Sequence, residues 1–396
     1  MTGDDRGPVS GAHLTVDVPE TAFGDGIVER LPSILDRFGV DRPLVVSDDG
    51  VAAAGVLETA LAAVDRPVVH YRAATEPSTA DFDDLPSADV DGVVAVGGGS
   101  CLDAGKVAAL LLSHGGTADE YLGVDAVPGP TAPLVAVPTT SGTGSQATQT
   151  AVVAHDGVKR GISDEHLRPD VGVVDPALTF DLPRGVTARS GLDAFVHALE
   201  SLTARDYRWV PQRPITYQGA NPFARPLARR ALGLVHGHLE RATYAGDDRD
   251  ARRAMALGSH LAGVAFSNSG LGAVHALAST VGGMTGRPHG ECLAVSLRPG
   301  LEYNLPVREA EYAAVARHLG VARADATDPE AARALLEECD RLRGALGLPG
   351  SFEAVGLDAD DADAMVENTL VQRRRLPTNP RTVAADVRDV LDGRLD

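Results

Sequence analysis

The feature that most constrains this chain is a change of pattern near residue 180. Before it, short apolar runs alternate with segments of helical spacing; after it, the strand signals stop. GIVERLPSILDRFG has the spacing of an amphipathic helix, and RPLVVSDDG is an apolar strand entering a turn. VAAAGVLETALAAV (helix), RPVVHYRA (strand), DGVVAVGGG (strand into a glycine loop), CLDAGKVAALLL (helix) and PLVAVPTT (strand) continue the series, broken by the polar stretch TEPSTADFDDL. Strands separated by helices pair in parallel, so a largely parallel sheet is predicted. The remainder is rich in Ala, Leu and Arg at helical spacing, with loops at Pro211 to Pro222 and Gly286 to Gly290. The predicted organisation is a disordered start over 1–12, an α/β domain over 13–178 and an all-helical domain over 179–396. The boundary falls near Asp175 to Asp181.

Charge narrows the choice of partner. The 396 residues carry 55 acidic against 36 basic side chains, a formal net charge of -19, which would repel nucleic acid. Only Lys106 and Lys159 are lysines, which leaves 34 of the 36 basic residues as arginine. A lysine-poor, acidic surface of this kind predicts a salt-rich cytoplasm, where salt screens self-repulsion. No apolar stretch approaches the roughly 20 residues a membrane helix needs, and the opening MTGDDRGPVSG has no apolar signal core. Cys101, Cys292 and Cys339 lie far apart without CxxC spacing, so neither a disulfide framework nor a zinc knuckle is expected. A cytoplasmic protein with no membrane partner fits.

DGVVAVGGGSCLDAGKVAALL places three glycines between an apolar strand and a helix, where backbone N–H groups and a helix N-terminus can hold phosphate. A tight structural turn is the alternative, since the spacing is neither GxGxxG nor a Walker loop. PTTSGTGSQATQT follows another strand with seven hydroxyl residues able to line a ribose and pyrophosphate. The two lysines sit in the glycine-loop helix and shortly after this loop. A compact ammonium on phosphate or ribose is a job arginine does not duplicate, which would explain their survival. Asp48, ending a strand in VVSDDG, could accept from adenosine ribose hydroxyls and disfavour a 2'-phosphate, selecting NAD over NADP; a plain turn aspartate is the other reading.

In SGLDAFVHALES, Asp193 and His197 are four apart and share a helical face. That pair alone would say little. GAVHALASTVGGMTGRPHGECLA adds His275 on a helix and His289 in a Pro-His-Gly turn, completing three imidazoles and one carboxylate. This donor set suits Fe(II), Zn(II) or another borderline divalent ion. Such an ion would polarise a substrate oxygen so that hydride can leave the carbinol carbon for a nicotinamide. His236 and His238, two apart on a predicted helix, do not share a face.

Taken together, GGGSCLDAGK, PTTSGTGS, VVDPALTFDLP, GLDAFVHALES, FSNSGLGAVHALAS, RPHG and TNPRTVAADV resemble the iron-containing (group III) alcohol dehydrogenase family nearly end to end. The resemblance implies a dehydroquinate synthase-like fold and an NAD-dependent dehydrogenase. It matches Asp193, His197, His275 and His289 to metal ligands. Asp48, Gly97, Gly98, Gly99, Ser100, Asp103, Thr139, Thr140, Lys159 and Leu178 match positions lining the dinucleotide. Two positions depart from the family. Its HxxxH has Ser279 at the second position, so the histidine often assigned to proton relay is missing, and Ser279 could stand in. GTGSE is here GTGSQ, with Gln146 removing a charge. RPITYQGANP, HALES and EPS also resemble the hydroxyacid-oxoacid transhydrogenase branch, which implies a retained nicotinamide and a carboxylate received by an arginine such as Arg208 or Arg213. The expected partners are a small alcohol or hydroxyacid, its carbonyl counterpart and further copies of the chain. A dehydroquinate synthase-like lyase and a catalytically inactive binding protein are the competing readings.

Overall fold

The computed structural model describes residues 13–86, 89–211, 216–372 and 376–395. The expected disordered start and Arg213 lie outside the described residues. The first half contains β1 (Glu20–Phe23), α1 (Leu31–Phe38), β2 (Pro43–Ser47), α2 (Asp49–Ala53), α3 (Val56–Leu61), β3 (Val69–Arg72), β4 (Gly92–Gly97) and α4 (Gly99–His114). It continues with β5 (Gly123–Val124), β6 (Leu134–Pro138), β7 (Thr150–His155), β8 (Val158–Ser163) and β9 (Val171–Val174). Six strands form one all-parallel sheet in the order β1-β9-β6-β4-β2-β3. Every residue of β2, β4 and β6 is buried, because helices cover both faces and leave no polar side. Leu44, Val46, Val93 and Ala95 pack under α4, while their neighbours Val45, Val94 and Val96 pack under α1. This alternation is the period-two geometry of a strand.

From Arg184 onward the chain is helical: α5 (Arg184–Thr203), α6 (Ala224–Tyr244), α7 (Arg249–Ser269), α8 (Ala273–Thr285), α9 (His289–Leu319), α10 (Asp328–Ala345), α11 (Ala362–Leu370) and α12 (Arg388–Leu395). Among the described residues no strand follows Val174, and no single helix is long and apolar enough to cross a membrane. A parallel α/β sheet followed by a helical half is the fold class expected.

Three local readings need correction. VAAAGVLETALAAV is not one helix: Gly55, at φ +71°, ends the first turn and starts α3. The β7–β8 hairpin and its neighbour β5 form a second, three-stranded sheet that the apolar pattern does not reveal, because β8 (VKRGIS) is half polar. His289 is the first residue of α9, behind Pro288, rather than part of a free turn.

Candidate metal centre and dinucleotide cleft

Asp48, the glycine loop and Thr139 to Thr140 follow the carboxyl ends of β2, β4 and β6, which are neighbours in the sheet. That end of a parallel sheet is where ligands bind. Gly98 caps α4, leaving the first N–H groups of a 16-residue helix at the mouth of the cleft. A side chain at Gly99 would strike Thr143, its Cβ lying 2.8 Å from Thr143 Cγ2, so the glycine and hydroxyl loops touch directly. Ser100 Oγ donates to the Thr75 carbonyl (2.6 Å), and Thr139 N donates to the Gly97 carbonyl (3.0 Å).

Several residues expected to face the dinucleotide also make contacts that hold this frame together. Lys106 is wholly buried, and its Nζ donates to Ser145 Oγ (2.6 Å), Thr148 Oγ1 (2.9 Å) and the Thr150 carbonyl (2.7 Å). The phosphate contact anticipated for it is therefore corrected: it staples α4 to the hydroxyl-rich loop. Asp103 works beside it, accepting from Ser145 Oγ (2.6 Å) and Val152 N (3.0 Å). Leu178 is buried in the core beneath α1. Asp48 caps α2 through Val51 N (2.8 Å) and accepts from Cys101 Sγ (3.2 Å), which fixes its carboxylate at the carboxyl end of β2. Lys159 is partly exposed and pairs with Glu76 (2.7 Å).

In the helical half, α5, α8 and the start of α9 bring four side chains to one point. Asp193 Oδ1 lies 3.4 Å from His197 Nε2, 3.4 Å from His275 Nε2 and 3.8 Å from His289 Nε2. Asp193, His275 and His289 each present a ligand atom within 4.8 Å of the others. His197 is not part of that three-residue group, but its Nε2 approaches Asp193 Oδ1 at 3.4 Å, about the edge of a tetrahedron of ligands with bonds of about 2.1 Å. The donor set therefore fits a borderline divalent ion. Asp193, His197 and His275 are buried, whereas His289 leaves 39% of its side chain exposed, so the cluster opens on that side.

The electrostatics favour the ligand form at Asp193 and His197. Burial alone would raise the Asp193 carboxyl, but His197, His275 and His289 outweigh it and hold it well below the usual carboxylate range. Burial pushes the His197 imidazole down to about 3, against the pull of Asp193. An ionised carboxylate and a neutral imidazole are what a metal requires. His275 is also lowered by burial, but Asp193 and Glu200 reverse the shift and raise it.

Glu200 and Phe266 escaped the sequence reading. Glu200 Oε2 lies 2.6 Å from His275 Nδ1, and Phe266 stacks on the His197 ring with centroids 4.2 Å apart. Glu200 lies seven residues beyond Asp193 on α5, a spacing that repeats the helical face and could have flagged it. Nothing in the sequence marks Phe266. Ser279 sits one turn beyond His275 on α8 and is half-buried. Arg208 is taken up by Asp206, which accepts from its Nε (2.6 Å) and Nη2 (2.9 Å), so the expectation that it receives a substrate carboxylate is not met in this geometry. The insertion carrying it does reach the site: Tyr217 packs with Phe266 and Leu271, and its hydroxyl lies 2.7 Å from Thr150 Oγ1.

Comparison with known proteins agrees with this arrangement. Residues 19–176 match the family described as iron-containing alcohol dehydrogenase, and residues 187–392 match the C-terminal part of the Fe-containing alcohol dehydrogenase family. The chain is 36% identical over 398 residues to the 4-hydroxybutyrate dehydrogenase of Cupriavidus necator, covering 93% of this chain and 96% of the relative. It is 31% identical to the mitochondrial hydroxyacid-oxoacid transhydrogenase of Xenopus tropicalis, with 95% and 90% covered. Among solved structures, a 1,3-propanediol oxidoreductase superposes with a TM-score of 0.89 at 28% identity, over 96% of this chain and 99% of that one. The archaeal halo-thermophilic Red Sea brine pool alcohol dehydrogenase ADH/D1 gives 0.85 at 27%, with the same coverage. The chain belongs to the iron-containing alcohol dehydrogenase family.

Proposed function

We propose that this protein is a metal-dependent oxidoreductase exchanging hydride between a hydroxyacid or alcohol and NAD(H), with Asp193, His197, His275 and His289 as the metal ligands. The observation that carries the reading is the convergence of three imidazole Nε2 atoms on Asp193 Oδ1. A divalent ion held there, Fe(II) ahead of Zn(II), supplies the Lewis acidity that lowers the pKa of a substrate hydroxyl, and a dinucleotide in the cleft supplies the hydride acceptor. The chain's own residues do the rest. The α4 N-terminus and Gly97, Gly98, Gly99 and Ser100 receive phosphate, and Thr139 and Thr140 line the sugar-phosphate path. Asp48, placed beyond β2, favours NAD over NADP by its charge. Phe266 and Tyr217 wall the buried side of the ligand cluster and limit water there. Ser279, one turn from His275, takes the position from which a proton can pass toward solvent.

Hydroxyacids are placed ahead of simple alcohols because the 4-hydroxybutyrate dehydrogenase relative is 36% identical to this chain, against 31% for a methanol dehydrogenase of similar coverage. The transhydrogenase relative supports a second form of the same reading, in which the nicotinamide stays bound between turnovers. The formal net charge of -19 and the near absence of lysine support a salt-adapted cytoplasmic enzyme, and the structural neighbour ADH/D1 is itself halo-thermophilic.

Metal analysis of the purified protein, followed by a hydroxyacid and alcohol panel in molar salt, tests the proposal. One divalent ion per chain and NADH formation from 4-hydroxybutyrate are expected. Absence of stoichiometric metal, or no NADH from any substrate, overturns it. Exchange between a hydroxyacid and an oxoacid without added NAD selects the retained-cofactor form.

A further inference from the structure

We propose that Glu200 is the positioning residue that sets metal affinity, by locking His275 in the tautomer whose Nε2 carries the free lone pair. The inference rests on the metal reading above and concerns a residue outside the ligand set. Glu200 is buried on α5, and both of its oxygens accept from N–H groups of α8. Oε1 accepts from Val274 N at 2.8 Å, and Oε2 accepts from His275 Nδ1 at 2.6 Å. Among the described residues its only ion-pair partner is His275.

One carboxylate therefore performs two tasks. Through Oε1 it satisfies a first-turn N–H of α8, so the helix start is fixed relative to α5, which carries Asp193 and His197. Through Oε2 it places the imidazole proton on Nδ1 and turns Nε2 toward Asp193 Oδ1, 3.4 Å away. A carboxylate behind a ligating imidazole also raises the basicity of the ligand nitrogen. The pocket is fitted to this purpose: a Cβ on Gly272 would lie 3.0 Å from Glu200 Oε1 and 2.5 Å from Asn379 Oδ1. Asn379 Oδ1 accepts from Ala273 N at 2.8 Å, a neighbouring cap on α8 that does not touch the ring.

An amide cannot replace this carboxylate, because it has one acceptor oxygen for two N–H donors. In Glu200→Gln, an NH2 turned toward Val274 loses the cap. Turned toward His275, it can donate only to a bare Nδ1, which moves the imidazole proton to Nε2 and blocks the ligand atom. Asn379→Ala removes the other cap, together with the bonds of Asn379 to Asn304 and the Arg381 carbonyl, and leaves the ring contact intact, so the pair separates tautomer control from anchoring of the helix.

The test titrates metal-free full-length wild type, Glu200→Gln and Asn379→Ala with buffered Zn(II) in molar salt. Wild type is expected to bind one ion. Glu200→Gln should bind roughly 10- to 100-fold more weakly, and Asn379→Ala within about threefold of wild type. Equal affinities for Glu200→Gln and wild type, or an equal loss in both variants, overturn the proposal while leaving the metal reading standing. Failure of wild type to bind overturns both. Should Glu200→Gln not fold, nitrogen NMR of zinc-loaded wild type decides: a protonated Nδ1 and a metal-bound Nε2 on His275 are expected, and the reverse assignment overturns the proposal.

Discussion

At the scale of single residues, one of the two lysines and the exchanged glutamine acquire reasons. Lys106 directs its ammonium to Ser145, Thr148 and the Thr150 carbonyl in a fully buried space, with the Asp103 carboxylate 3.5 Å away, a setting that a planar guanidinium cannot reproduce without displacing its neighbours. Removing it leaves Ser145, Thr148 and Thr150 without a shared donor. Lys106→Met should cost about 3 kcal/mol in denaturant unfolding. A variant of unchanged stability with only a raised KM for NAD would return Lys106 to the phosphate. Gln146 is buried, and its amide lies 3.3 Å from His260 Nδ1, while His260 Nε2 lies 3.0 Å from Thr21 Oγ1. The amide donates to a neutral ring, which in turn donates to the threonine. Burial lowers His260 to about 4. Unfolded histidine titrates near 6.5, so this ring contributes stability fully above about pH 6.5 and loses it as pH falls toward 4. The loss is on the order of 3 kcal/mol across that window. Unfolding at pH 7.5 and 4.5 should show it, and His260→Gln should flatten the difference; an equal fall in both proteins would rule His260 out as the cause.

At the scale of elements, what the sequence revealed depended on whether local pattern or long-range pairing set the structure. β2, β4, β6 and α4 were readable because strands buried on both faces are continuous apolar runs, and the glycines mark where β4 turns into α4. β1, β9 and the β7–β8 hairpin were not, since short or half-polar strands owe their state to partners far along the chain. The convergence of Asp193 with three histidines could be anticipated from the i, i+4 pair and two later motifs. Glu200 shares the helical face of Asp193, but its partner His275 could not be named until α8 was laid against α5. One contact between the two halves was invisible for the same reason. Gly144, at φ +64°, meets Gly263 of α7 backbone to backbone, and a Cβ on Gly263 would lie 2.8 Å from Gly144 Cα. Gly263→Ala should therefore push the hydroxyl-rich loop off α7, costing about 1–3 kcal/mol and raising the KM for NAD. Unchanged unfolding together with unchanged KM would show that the loop moves aside freely.

At the scale of the whole molecule, charge acts over all of these contacts at once. Most of the ion pairs that join arginine to Asp or Glu have at least one partner well exposed, as in Arg37 with Glu20 and Arg323 with Asp325, and such pairs contribute little individually. They cannot offset a surplus of 19 negative charges spread over the chain. Repulsion among surplus carboxylates extends about 10 Å at 0.1 M salt and about 3 Å at 1 M. Raising the salt therefore removes much of a destabilising term while leaving the buried core and the Lys106 staple in place. Moving from 0.1 to 3 M KCl should raise the melting temperature by roughly 5–10 °C, the equivalent of about 4–8 kcal/mol in a protein of this size. Potassium chloride isolates screening from the general strengthening of apolar burial that sulfate would add. A melting temperature that stays level or falls over this range would mean that self-repulsion is not what limits stability, and the salt-adapted reading of the surface would fail with it.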